Sequence, residues 1–152
     1  MNTSTLINTK TNYKISTYYS SVLEMEFVFG YIGNKQVTYK EAADLASKLT
    51  INGHNDWIIP TEVELREFGI ETGFDIDGVW TSTPATDEEF FNYIRSKKLY
   101  DLGVDAMDAM NCISRDFADY KEHGATFVIY GENKVPFIKD HWAHVIIARN
   151  VN

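Results

Sequence analysis

Along this chain the spacing of apolar positions changes period several times, and each change marks an element. Residues 1–21 are rich in Ser, Thr, Asn and Tyr without a helical period, which suits a flexible arm or an edge strand. The first apolar run, VLEMEFVFGYIG, carries Val22, Met25, Phe27, Val28 and Phe29. Its β-branched and aromatic content predicts a strand that closes in a turn near Gly33-Asn34-Lys35. In VTYKEAADLASKLTING the period becomes helical, since Ala42, Leu45, Ala46 and Leu49 recur at i, i+3, i+4 and i+7 and put one apolar stripe against the core. Thr38 and Glu41 have the spacing of a capping box, in which each side chain satisfies a backbone N–H that the first turn leaves unpaired. Gly53 is available to end this helix.

Trp57-Ile58-Ile59 is too apolar for an exposed loop, and Pro60 holds Ile59 extended, so the segment reads as a buried linker. Thr61 and Glu64 repeat the capping spacing, with Leu65 and Phe68 on one face and Gly69 as the expected stop. After the loop-like ETGFDIDG, Trp80 falls in a short strand, GVWTSTP, that Pro84 terminates. Thr86 and Glu89 form a third candidate box, so DEEFFNYIRSKK is expected to be a helix presenting Phe90, Phe91 and Ile94. In YDLGVDAMDAMNCISRDFADYKEHG the positions Ala106, Met110, Ile113 and Phe117 have helical spacing, while the Gly and Asp content equally suits an irregular excursion. ATFVIYGENKVPFIKD reads as a hairpin, Thr126–Tyr130 and Val135–Ile138 flanking Gly131-Glu132-Asn133-Lys134. HVIIARNV is the last strand, whose Val145, Ile146 and Ile147 suit a central position. Strands at both ends with helices between them predict an α+β domain spanning 1–152, with mixed or antiparallel sheets and two main helices.

At 152 residues such a domain buries about 70% of the surface of its unfolded chain and needs no staple. Cys112 is the single cysteine, which excludes an intramolecular disulfide and a Cys-rich metal site and fits a reducing compartment. The N-terminal stretch lacks the basic and apolar regions of a secretory signal, and no segment has the length of a membrane span, so a cytoplasmic protein is expected. Acids outnumber bases by 22 to 14, for a formal charge of −8. That balance disfavours direct binding to a phosphate backbone, which calls for a basic face. It serves solubility first, and it also attracts basic partners, including a protein surface that normally holds nucleic acid.

VTYKEAADLASKLTINGHNDWIIPTEVELREF resembles a pattern shared by two branches of the C-type-lectin-like superfamily: a helix entered through an aromatic and Glu-Ala, a Gly-Asn/Asp turn, Trp-Arg-Leu-Pro-Thr, then Glu-Leu. It is most similar to the C-terminal domain family of collagen-like bacterial adhesins, which also carry a later Trp-Ser-Ser-Thr element and a last strand containing arginine. Here these correspond to Trp80-Thr81-Ser82-Thr83 and to Val145–Arg149, so the likeness covers residues 37–83 and 144–150. The resemblance implies a C-type-lectin-like fold in which Trp57, Pro60, Thr61, Glu64, Trp80 and Arg149 are structural. The family's arginine after the first tryptophan is Ile58 here, and residues 84–143 form a divergent, inserted segment. The second branch, the formylglycine-generating enzymes, implies oxidative chemistry on a copper ion held by two cysteines, which one thiol cannot supply.

Candidate chemistry is sparse. Asp75 and Asp77, and likewise Asp101, Asp105 and Asp108, are acidic clusters short of the six to eight oxygens that calcium takes, and read first as solvated turns. His141 and His144 face opposite sides of an extended strand, with no third ligand for zinc. Trp142, flanked by those histidines, is a candidate contact residue. Cys112 lies among mixed apolar residues with no identifiable catalytic partner, and no nucleophile elbow, phosphate loop or dinucleotide fingerprint occurs. The expectation is a non-catalytic, cofactor-free intracellular module that presents the variable segment 99–143 to a protein, with inhibition of that partner as one outcome. Asp101, Asp105, Tyr120, His141 and Trp142 are the expected contact residues. A carbohydrate-binding domain, or a metal- or carboxylate-dependent enzyme, is the alternative. No membrane or direct nucleic-acid contact is expected.

Overall fold

The computed structural model describes residues 12–33, 35–102 and 106–151, the side chains of 98–113 excepted. Among the described residues, four helices and three small sheets make an α+β architecture. The chain runs through β1 (Asn12–Tyr13), β2 (Thr17–Ser20), β3 (Met25–Val28), α1 (Tyr39–Lys48), β4 (Thr50–Ile51) and α2 (Glu62–Thr72). It continues through β5 (Asp77–Pro84), α3 (Asp87–Leu102), α4 (Ala106–His123), β6 (Ala125–Tyr130), β7 (Asn133–Ile138) and β8 (Ala148–Asn150). β3 lies between β2 and β8 and is antiparallel to both, while β6 lies between β5 and β7 in the same manner. β1 and β4 form a short parallel pair.

The core follows from the two-residue period of the strands, which sends successive side chains to opposite faces. From β3, Met25 and Phe27 join Leu65 and Phe68 of α2, whereas Val28 joins Ala42 and Ala46 of α1 together with Trp57 and Trp80. The run before β8 divides the same way, Ile146 entering the α2 cluster and Val145 and Ile147 the α1 cluster. Phe68 is the hub of the first cluster: its ring stacks on Phe27 at 4.8 Å and meets Tyr18, Phe29 and Phe74 at 5.7–6.1 Å. Burying a ring of that size contributes about 1.5–3 kcal/mol. A third cluster seats α3 and α4 on the β6–β7 face through Phe90, Ile94 and Tyr120 against Ala125, Phe127 and Ile138.

All three capping boxes form. Thr38, Thr61 and Thr86 accept from the backbone N–H of Glu41, Glu64 and Glu89, and each glutamate reaches back to the threonine N–H at 2.9 Å. Their hydrogen bonds hold the Glu41 and Glu89 carboxyls below the usual carboxylate range.

Several expectations are corrected. Residues 106–123 are a helix, and the two longest helices, α3 and α4, both fall in the 84–143 segment, so the count of two main helices is too low. α1 ends at an extended Leu49 instead of running to Gly53, because the chain leaves the helix directly into β4. α2 passes through Gly69 and stops at Gly73, whose left-handed backbone (φ 72°) suits a residue without a Cβ. Val22 is 73% exposed in the turn before β3, and Phe91 is 36% exposed while its ring meets that of Phe117 on α4 at 5.8 Å. Ile58 in the expected buried linker is 42% exposed, since Trp57 and Ile59 on either side of it turn inward. The β6–β7 turn is shorter than expected: Gly131 and Glu132 alone connect the strands, with Gly131 at φ 59° as a two-residue hairpin requires.

The last strand is also shorter, and β8 flanks β3 instead of occupying the centre of its sheet. The buried residues before it bond to several segments at once, which prevents a regular ladder. Ala143 exchanges backbone bonds with Val37, the His144 N–H reaches Gly78 O at 2.7 Å, Val145 O accepts from Ile32, Ile147 O accepts from Val28, and Ala148 exchanges bonds with Ile58. This one run therefore joins β3, β5 and the two linkers that frame α1.

Candidate binding site

The third capping box fixes where α3 starts, and α4 is fastened back onto that start. Asp87 accepts from the Tyr120 hydroxyl at 2.5 Å on one carboxyl oxygen and from Lys121 Nζ at 2.6 Å on the other. Tyr120 also stacks on Phe90 with ring centroids 4.5 Å apart. The Lys121 ammonium, then the Tyr120 hydroxyl, hold the Asp87 carboxyl below its ordinary range. The same hydrogen bond, with burial behind it, pushes the Tyr120 phenol up to about 12. Tyr120, expected as a contact residue, is thus 8% exposed and belongs to the packing of the helical pair.

Held in this way, the helical pair leaves an open cleft of about 440 Å³ against the outer side of β7. α3 contributes Phe90, Tyr93, Ile94 and Lys97, α4 contributes Asp116, and β7 contributes Val135 to Ile138. His141 closes one end with its ring 5.9 Å from that of Phe137. Tyr130 lines the cleft too, and burial pushes its phenol up. The volume is in the range of ordinary ligand sites, and the walls are mainly apolar with a few polar groups. Trp142, next in the chain after His141, is 61% exposed, whereas Trp57 and Trp80 are buried.

Trp57 donates from Nε1 to the His54 carbonyl at 2.9 Å, and Trp80 donates to Val37 O at 2.8 Å. Pro60 is buried and its carbonyl accepts from Ser82. Arg149 bonds Asp56 at 2.7 Å and Glu26 at 3.0 Å, and its guanidinium holds the Asp56 carboxyl down. Asp105, and the side chains of Asp101, Asp108 and Cys112, lie outside the described residues.

The two histidines serve different neighbourhoods. His141 lines the cleft, and His144 stacks on Tyr31 with centroids 4.5 Å apart. Asp75 and Asp77 are engaged through their backbone, with the Tyr31 hydroxyl donating to Asp75 O and accepting from Asp77 N–H. Among the described residues no group of three or more His, Cys, Asp or Glu is placed to hold a metal ion.

Two further clusters carry no signal in the sequence. Glu71 accepts from the hydroxyls of Tyr18 at 2.6 Å and Ser20 at 2.8 Å, which ties β2 to α2. Its hydrogen bond with Glu67, one helical turn earlier, pushes the Glu67 carboxyl up and helps hold that of Glu71 down. A shallower, polar groove runs between the start of α1 and the end of α4, where His123 lies 3.6 Å from Asp140 and Lys139 covers the Tyr39 ring. The α3–α4–β7 cleft was equally hidden, because its walls come from elements some forty residues apart in the chain. Only the Pro136-Phe137 pair and His141-Trp142 could have hinted at it.

No family model matches the chain, and no curated protein matches it. Among the described residues no helix is long and apolar enough to cross a membrane.

Proposed function

We propose that the chain is a non-catalytic, cytoplasmic binding module: a C-type-lectin-like scaffold that presents α3, α4 and the His141-Trp142 corner to a protein partner. The observation that carries this reading is Trp142, a large aromatic 61% exposed and next in the chain to His141, which lines an apolar cleft. Exposed aromatics next to desolvated pockets dominate protein-binding energetics, because they bury much area at little cost in side-chain entropy.

The lectin-like scaffold is supported by three features. Early strands pair with the last one in the β2–β3–β8 sheet, two capped helices follow, and Trp80-Thr81-Ser82-Thr83 lies within the second sheet. The cytoplasmic setting is supported by the single cysteine in 152 residues. A partner protein, rather than a nucleic acid, is supported by the formal charge of −8.

The test is affinity capture from the native cell with the wild-type chain and with Trp142→Ala, each first checked for folding by circular dichroism. The expected result is a partner retained by the wild type and strongly depleted in the variant. Failure of the wild type to retain any partner, or equal retention by the variant, overturns the reading. A thermal-shift series with calcium, zinc and common sugars completes it: stabilisation by a sugar or a divalent ion, lost on Asp75→Ala or His144→Ala, replaces the module with a carbohydrate- or metal-dependent protein.

A further inference from the structure

We propose that Asn52 is a guarded deamidation site: the segment Asn12–Ile15 holds its amide unreactive, and once converted to aspartate or isoaspartate the residue no longer holds that segment. The bonds around one turn place the reacting groups, the guard and the part of the fold that the modification releases side by side.

Asn52-Gly53 is the only Asn-Gly step in the chain. It forms the two-residue turn after β4, closed by Ile51 and His54, which exchange backbone hydrogen bonds at 2.9 and 3.0 Å. Both central residues have positive φ, 52° and 82°, as such a turn requires. A glycine would meet that requirement at position 52 too, so what asparagine adds is its side-chain amide. Oδ1 accepts from the Ile15 N–H at 3.0 Å, and Nδ2 donates to the Ile15 carbonyl at 2.8 Å. The amide thus pairs with Ile15 as a strand backbone would, just beyond the parallel pairing of β1 with β4. The Asn52 N–H donates to Tyr13 O at 2.7 Å, and the Gly53 N–H donates to Asn12 Oδ1 at 2.9 Å.

An asparagine followed by glycine cyclises readily, because glycine has no side chain to obstruct approach to its nitrogen. The Gly53 nitrogen attacks Asn52 Cγ, the Cγ–Nδ2 bond breaks, and ammonia leaves with the proton that the Gly53 nitrogen gives up. Water then opens the succinimide at one of its two carbonyls: cleavage of the Cγ–N bond leaves aspartate, and cleavage at the main-chain carbonyl leaves isoaspartate. In the fold both reacting groups are engaged. Asn12 holds the Gly53 N–H, and Ile15 holds both polar atoms of the amide that must change geometry. Parting the two segments also lifts Tyr13 and Ile15 off the α1 cluster, against which both are packed. The reaction therefore waits for a local opening, and the free energy of that opening sets its rate.

The product does not restore the guard. A carboxylate has no N–H for the Ile15 carbonyl and sets a negative charge against that oxygen, leaving it unsatisfied. Isoaspartate also routes the main chain through Cγ, which adds a carbon to a turn of two residues and disturbs the pairing of Ile51 with His54. The His54 carbonyl accepts from Trp57 Nε1, so the disturbance reaches that indole. Opening and closing are reversible before the reaction, and afterwards the segment Asn12–Ile15 stays released.

The experiment keeps the full chain at mildly alkaline pH, native and in urea, and follows Asn52 by peptide mapping with mass spectrometry. The unfolded chain is expected to convert about tenfold faster or more, and folded Asn12→Ala, which frees the Gly53 N–H, about fivefold faster than the native wild type. Equal rates in the native and unfolded chains, or a folded Asn12→Ala that converts no faster than the wild type, overturn the guard. The converted chain carries an added negative charge and separates from the parent by ion exchange. Like Asn52→Asp, it is expected to exchange the amide hydrogens of Ile15 and of position 52 about tenfold faster than the parent, with the Trp57 indole N–H resonance displaced. Unchanged exchange at Ile15 overturns the release. The comparison of native with unfolded wild type and the separated converted chain decide both points even if neither variant folds.

Discussion

Tyr120 carries the clearest consequence at the scale of single residues. Its hydroxyl donates to Asp87 and its ring stacks on Phe90, so one side chain closes α4 onto α3. The folded protein raises this phenol from 10.0 to about 12, first through the hydrogen bond to Asp87 and then through burial. A raised pKa means that the folded state holds the proton more tightly than the unfolded one. The resulting stability is therefore fully present below about pH 10 and lost as pH rises through the folded value. Tyr120→Phe keeps the ring stack and removes this dependence. In thermal melts between pH 10 and 12 the variant is expected to lose less stability than the wild type, although it starts lower. An unchanged slope would mean that the Asp87 bond does not form. The Asp87 carboxyl runs the other way: its pKa is depressed, so its contribution is present above about pH 4 and disappears as pH falls through the lowered value.

At the scale of elements, the caps are the most local devices in the chain. Thr86→Ala removes the side-chain acceptor at the start of α3 and is expected to cost about 1 kcal/mol, with Thr86→Ser close to neutral. Urea denaturation should show a lowered midpoint with an unchanged slope, since the compactness of the end states is not altered. All three boxes were legible in the sequence because each depends on residues three positions apart. Helix ends were less so, because they depend on what the next segment packs against. Gly69 looked like a stop, yet it lies inside α2, where a Cβ would approach Ile76 Cδ1 to 2.9 Å. The glycine there makes room for a neighbour instead of ending a helix. Tyr120 was misassigned for the same reason. Helical spacing was only one of two readings of its segment, and which side of such a helix meets the β6–β7 sheet could not be read at all. The residues of the cleft come from four elements and the loop after β7 and share no local pattern, so only His141, beside Trp142 in the chain, stood out.

At the scale of the whole molecule, the decisive feature is the run from Ala143 to Asn150. It supplies buried residues to both the α1 and α2 clusters and forms backbone bonds with segments from Met25 to Trp80. A chain ended after Trp142 is therefore expected to lack a cooperative thermal transition, even though its three capping boxes and its β6–β7 hairpin are intact; circular dichroism and tryptophan fluorescence would detect this. A sigmoidal melt from the shortened chain would show that the two clusters close without that run. The same dependence bears on how the protein is made. Translation proceeds at about 5–20 residues per second, so on the order of ten seconds separate the synthesis of β3 from that of its partner β8. Throughout that interval the nascent chain carries an apolar strand and the apolar faces of two helices with nothing to cover them. The polypeptide must either be shielded by a chaperone or collapse reversibly, and these two clusters acquire their final form only after β8 has been synthesised.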